Sequence, residues 1–171
     1  MRYAKAMPDQ LRDEAYMKSP LDTNPESWHR FFGAGANNTA WALAEVAAGE
    51  VNQRDLLGAA HAAAWHWRHV GTELNHMRAL MLLAHAHAQA GLGTTALAYA
   101  DEMRAYFLAS ASAPDWEIAF THVVHAHAAW AADAKELHAR SYAMGAQAIA
   151  AIANDEDRDI VQRVFRNVPT P

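Results

Sequence analysis

The sequence has no cysteine, which excludes disulfide bridges, thiolate metal ligands and cysteine nucleophiles together. Positive charge is also short: 14 Lys and Arg stand against 19 Asp and Glu, a formal net charge of −5 with a pI near 6.1. A chain built to neutralise phosphates shows the opposite balance, and its basic residues cluster; no nucleic-acid partner is expected. Apolar runs of membrane-spanning character are missing. The stretch Ala79–Ala100 carries no Asp, Glu, Lys or Arg and is long enough to span a bilayer, but His85, His87, Gln89, Gly91, Gly93, Thr94 and Thr95 interrupt it. Two helices meeting at Gly91–Gly93 fit it better, and no membrane partner is expected. The segment Met1–Asp22 mixes Arg2, Lys5, Asp9, Arg12, Asp13, Glu14 and Lys18 without the apolar centre of a signal peptide, so the expected location is cytoplasmic.

Recognisable reaction chemistry is missing too. Gly33-Ala-Gly35 and Gly91-Leu-Gly93 lack the third glycine and the preceding strand of a phosphate-cradling loop. There is no Gly-x-Ser-x-Gly elbow. Acidic pairs such as Asp101-Glu102 read as solvated charge, and the Asp155-Glu156-Asp157 run as charge at a helix start. The chain is expected to be non-enzymatic and to use no cofactor.

What is abundant is alanine, 41 of 171 residues. Alanine is the best helix former and is depleted in strands, so the composition predicts an all-α protein of one domain, residues 1–171. Prolines and glycines fall where helices begin and end. Asn24-Pro25-Glu26 offers a cap residue, a proline at the first helical position and an acidic first turn. A weak spot at 33–38 precedes a further helical run over 39–48 that ends at Gly49. The next helix spans 53–70, with Leu57, Ala60, Ala64 and Trp67 on one stripe, and stops at Gly71. Thr72-Glu73 opens another, with Leu74, Met77, Met81, Ala84 and Ala88 at helical spacing. Helices follow over 94–109, 114–132 and 134–153. A last one is capped by Asn154 and buries Ile160, Val161, Val164 and Phe165. A short helix over 8–18 is also expected, giving seven to nine in all.

Short connections make neighbouring helices antiparallel. Three hairpins are expected, 25–71, 72–112 and 113–153, after an N-terminal segment 1–24 and before a capping helix 154–168. They repeat: Ala84-His-Ala-His-Ala88 returns as Val124-His-Ala-His-Ala128 in the first helix of the next hairpin, and nearly the same offset places Ala42–Gly49 against Ala84–Gly91.

The run Leu82–Met103, LLAHAHAQAGLGTTALAYADEM, resembles a tetratricopeptide repeat, with Leu83, Ala84, Ala86, Gly91, Ala96 and Leu97 at the positions that family fills with Leu, small residues and Gly. His87 stands where an aromatic is usual. The resemblance implies a right-handed array of stacked hairpins whose first helices line a concave groove that holds a protein or peptide partner. It places His85 with Arg78 and Gln89, and His125 with His122, on the polar sides of those helices, as candidate groove residues. On the preceding helix, Trp65 shares a face with His61, Arg54 and Arg68, and a Trp with Arg is a composition enriched at binding hot spots. Trp28, Trp67, Trp116 and Trp130 fall on apolar stripes and are expected in the core.

Eleven histidines raise the alternative of a metal-binding bundle. Side chains two apart on a helix point about 200° from each other, so His85 and His87 cannot share an ion, nor His125 and His127. His87 and His127 continue apolar stripes and are expected inside, each with a hydrogen-bonded nitrogen. His66 with His69 and His122 with His125 could each chelate from one helix face, and Glu73–His76 has the Glu-x-x-His spacing of di-iron bundles. Only one such motif is present, so no metal site is assigned. A homodimer that fills its own groove is a third possibility.

Overall fold

The computed structural model describes residues 23–46, 50 and 52–171. The expected helix over 8–18 lies outside them, as do residues 47–49, where the run over 39–48 is expected to end. Seven helices follow one another among the described residues, with no strand: α1 (Pro25–Ala44), α2 (Gln53–Val70), α3 (Glu73–Gln89), α4 (Gly93–Ala109), α5 (Asp115–Ala131), α6 (Lys135–Ala151) and α7 (Asp155–Phe165).

Local chemistry fixes the starts. Asn24 accepts a hydrogen bond from the Glu26 amide and precedes Pro25 at the head of α1. Asn52 accepts from Asp55 at the head of α2 and Asn154 from Asp157 at the head of α7. Thr72 and Asn75 form a reciprocal capping box on α3. Two helices end alike. The Leu92 amide reaches back to the His87 carbonyl with Gly91 at φ +72°, and the Ala134 amide reaches the Ala129 carbonyl with Asp133 at φ +55°. Both are Schellman ends, which require a left-handed residue; the first has glycine there and the second has Asp.

One expectation about helix bounds is corrected. The weak spot at 33–38 does not break the chain, and α1 runs unbroken from Pro25 to Ala44. Gly33 is a contact point: a Cβ there would lie 3.3 Å from both His66 and the Trp67 ring, so its bareness lets α2 come close.

The helices pair as α1–α2, α3–α4 and α5–α6, and each second helix packs on the first helix of the next hairpin. First helices also pack on one another, α1 on α3 and α3 on α5, while α2, α4 and α6 make no mutual contact among the described residues. The result is an inner row of first helices and an outer row of separated second helices, closed by α7 against α5 and α6. The repeat has a single register. Glu73 and Gln89, the ends of α3, match Asp115 and Ala131 of α5, and Gly93 and Ala109 of α4 match Lys135 and Ala151 of α6 at the same offset. His85 therefore corresponds to His127, and laying the two His-Ala-His runs directly over each other misses the structural register.

Within the inner row, α5 and the second half of α3 are buried nearly all round. Every residue from Met81 to Ala88 is buried, and so is every residue from Trp116 to Ala129 except half-buried Ile118. A helix apolar on all sides is the expected occupant of such a place; these helices combine alanines with histidines. Trp67 and Trp116 are in the core as expected, at 4% and 3% exposure, and Trp28 is half-buried. Trp130 is not: at the last turn of α5 it is 47% exposed, because no described helix covers that end of its stripe.

Two substitutions test the helix ends. Asp133→Gly removes a left-handed L-residue and should raise stability by about 0.5–1 kcal/mol. Gly93→Ala puts a Cβ 2.1 Å from the Ala131 carbonyl oxygen and should cost more than about 3 kcal/mol, since backbone must move. Urea unfolding of the two variants checks both signs.

Candidate functional site

The eight candidate residues divide into two groups. Trp65, Arg68 and His61 lie on the exposed side of α2, and Trp65 is 57% exposed. With α3 and α4 they border an open cleft of about 340 Å³. Its floor is α3, presenting Met77, Leu80 and Leu83; its far wall is α4, presenting Tyr99 and Glu102. The cleft exists because α2 and α4 both pack on α3 yet do not touch. His76 lines it too, held in place by donating Nε2–H to the Trp67 carbonyl at 2.9 Å. Behind the rim, the rings of His61 and His87 meet edge to face at 5.1 Å, and His87 meets Tyr99 at 5.4 Å. Burial, with His87 nearby, lowers the His61 pKa below its usual 6.5.

Arg78, His85, Gln89, His122 and His125 are a correction. They do not line an open groove; they fill the seams between hairpins. The Arg78 guanidinium bonds the carboxylate of Glu117, 2% exposed, at 2.7 Å and lies over the Trp116 ring, tying α3 to α5. The Gln89 amide donates to the Ala44 carbonyl at 2.6 Å, joining α3 to the end of α1. His85, fully buried, stacks on Trp41 with ring centroids 5.6 Å apart. Trp41 also meets Phe120 at 5.5 Å, so a side chain from α1 reaches α5 across the inner face.

His125 joins three helices. Its Nε2–H donates to the Asp101 carboxylate at 2.9 Å and its Nδ1 accepts from the Ser141 hydroxyl at 2.8 Å. A carboxylate only accepts, which fixes this tautomer. The order Asp, His, Ser is that of a hydrolytic triad, but access runs the wrong way: Ser141 is 2% exposed while the Asp101 side chain is 63% exposed. A nucleophile must meet its substrate, and here the carboxylate faces water. The trio acts as a brace between α4, α5 and α6. Sequence reasoning missed Ser141 and the bond from His125 to Asp101, whose side chain is exposed as expected; neither residue type nor local spacing marks a brace assembled from three helices.

Burial governs the inner histidines. It lowers His85 to about 3, with His127 acting in the same direction. It lowers His127 to about 4 with help from His138, and His122 to about 4 with help from Arg104 and His125. His125 is also lowered by burial, against the pull of its bond to Asp101. His87 and His127 are interior, as their stripes required, and His87 donates Nδ1–H to the Leu83 carbonyl at 2.8 Å.

The histidines do not assemble a metal centre. Among the described residues, no three His, Asp or Glu side chains are placed to hold an ion. His66 pairs with His29 of α1, nitrogen to nitrogen at 2.9 Å, His76 is bonded to backbone, and His122 and His125 lie on α5. A second cleft, about 500 Å³ between Trp130, His138 and Pro171, contains none of the candidate residues.

Removing Arg78 checks the seam assignment. Arg78→Ala leaves the Glu117 carboxylate buried alone and should cost about 3 kcal/mol or more. The double change Arg78→Met with Glu117→Met should recover most of that loss; a single variant as stable as the parent would return Arg78 to the surface.

Comparison with protein-family models, with curated proteins and with solved structures finds no match to this chain.

Proposed function

We propose that the protein is a non-enzymatic scaffold that binds a peptide segment of a protein partner in the cleft between α2 and α4. The observation that carries this reading is Trp65, a large ring left 57% exposed at the lip of a cleft whose floor is Met77, Leu80 and Leu83. An apolar floor with a few polar groups at the rim is the usual make-up of a ligand site, and a rigid wall of packed helices lowers the ordering cost of binding. Arg68 at the rim selects a carboxylate beside the partner's apolar anchor, and Glu102 opposite it selects a cation.

Kinship with tetratricopeptide repeats belongs to the same proposal. It is supported by Ala84, Ala86 and Ala96, all fully buried, and by Gly91 at its left-handed turn. It differs from the family pattern in where it puts the binding face, between second helices rather than along first ones. A cytoplasmic setting is part of this reading; no described helix is long and apolar enough to cross a membrane.

Selection of random displayed peptides on the purified chain tests it. Selected sequences should pair an aromatic or aliphatic residue with Asp or Glu. Trp65→Ala and Arg68→Ala should each weaken a selected peptide by about tenfold or more and shift stability by less than about 0.5 kcal/mol. His125→Ala, by contrast, should destabilise the fold by about 2 kcal/mol through loss of one buried and one half-buried hydrogen bond. Peptides that bind Trp65→Ala equally well would overturn the proposal. So would a dimer in light scattering that Trp65→Ala dissolves, which would make the occupant a second copy.

A further inference from the structure

We propose that the buried imidazoles between α3 and α5 form a proton-operated latch: neutral, they hold the second and third hairpins together, and protonated, they part them. This inference does not depend on what occupies the α2–α4 cleft.

The geometry sets the protonation state. Gln89 is oriented by donating its amide to the Ala44 carbonyl, and the same nitrogen lies 3.5 Å from Nε2 of His85. Nε2 is therefore an acceptor, and in a neutral ring Nδ1 carries the proton. That Nδ1 faces Nδ1 of His127 at 3.4 Å, so His127 must accept there. The contact is a hydrogen bond only while these facing sites hold a single proton. A proton added to His85 meets the Gln89 donor; one added at Nδ1 of His127 sets two N–H groups head to head. His138, on the α6 side of His127, is pinned by donating Nδ1–H to the Ala126 carbonyl at 2.9 Å, and its Nε2 is buried without a partner.

Among the described residues, no opposite charge offsets protonation at the centre. From α1 the His85–His127 pair meets the uncharged Trp41 ring, and from α6 another imidazole, His138. From α4, Asp101 and Arg104 act further along α5: Asp101 bonds His125, while Arg104 opposes charge on both His122 and His125. The charged tie of the seam itself, Arg78–Glu117, is already paired. On α7, Arg163 acts on Glu45 at the end of α1, and Asp157 sits in the first turn.

The sign follows from linkage. Burial holds His85, His122 and His127 well below the ordinary 6.5, at about 3 to 4. The opened chain takes up protons that the closed stack refuses. These groups leave stability untouched above about pH 6.5 and erode it as pH falls from there toward 4, each adding up to one proton to the uptake on opening. Ordinary carboxylates start to matter only near pH 4.

The test uses the full chain. Urea midpoints measured from pH 8 to pH 4.5 by tryptophan fluorescence should be flat above about pH 7 and fall steeply below about 6.5, with an uptake of more than one proton. His85→Leu with His127→Leu should flatten that fall. Should the double variant not fold, NMR titration of the parent's imidazole Cε1 protons decides: the rings of His85, His122 and His127 should stay neutral at pH 6. A midpoint constant down to pH 5, a fall equally steep in the folded double variant, or buried rings that titrate near 6.5 would overturn the latch.

Discussion

Everything else in this molecule depends on how closely its first helices approach one another. α1, α3 and α5 form a row, and α3 and α5 bury alanines such as Ala84, Ala86, Ala126 and Ala128, all at or below 1% exposure. Small side chains let backbones approach, and glycine takes this furthest: the start of α4 meets the end of α5 at Gly93, where a Cβ has no room. Tight approach has a cost, because methyl groups alone do not fill the space where three helices converge. Trp41 and Phe120 fill it, meeting edge to face from α1 and α5. At that point the two rings close the inner face between α1 and α5.

Once the inner face is shut, polar residues on it must find partners inside. A buried polar group without a hydrogen bond costs about 1–3 kcal/mol, and most here are satisfied: Glu117 by Arg78, His125 by Ser141 and Asp101, His87 by the Leu83 carbonyl. Several of these bonds cross between helices distant in sequence, so they also set register. The remaining orphans are Oε1 of Gln89, Nε of Arg104, Nδ1 of His122 and Nε2 of His138, and a ring nitrogen without a donor is content only while it is unprotonated. The interior thus combines firm positional specification with intolerance of acid.

The helices were legible in the sequence because caps and breakers act locally. Asn24-Pro25, Thr72, Asn154 and Gly91 each do in the structure what their chemistry requires. Pairing into hairpins was legible from short connections. Which face of each first helix meets solvent was not. Periodicity separates a polar face from an apolar one, and His85, His122 and His125 do share their faces with polar neighbours; but polarity was read as exposure, and here it marks a buried network. On α2 the outcome differed. Leu56 and Ala63, rather than Leu57 and Ala64, are its fully buried positions, yet His61, Trp65 and Arg68 remain outside because no described helix covers that side. The same local pattern leads to opposite fates, decided by whether a third helix arrives.

That contrast explains why one gap between second helices stays open and the next is filled. The buried positions Leu56, Ala60, Ala63 and Trp67 of α2 correspond to Ala96, Ala100, Met103 and Phe107 of α4. By this register Trp65 stands where α4 has exposed Ala105 and, one repeat on, α6 has exposed Gln147. An outward position that elsewhere holds a small or polar residue carries an indole only beside the open cleft. The cleft floor has its counterpart as well: Leu80 and Leu83 of α3 align with His122 and His125 of α5. Aliphatic side chains leave α3 half-open between α2 and α4, whereas the imidazole of His125 bridges Asp101 of α4 and Ser141 of α6. Leucine has no group with which to bridge its neighbours, so the first gap keeps its apolar floor accessible. The difference between a cleft and a brace comes down to which repeat received the histidines.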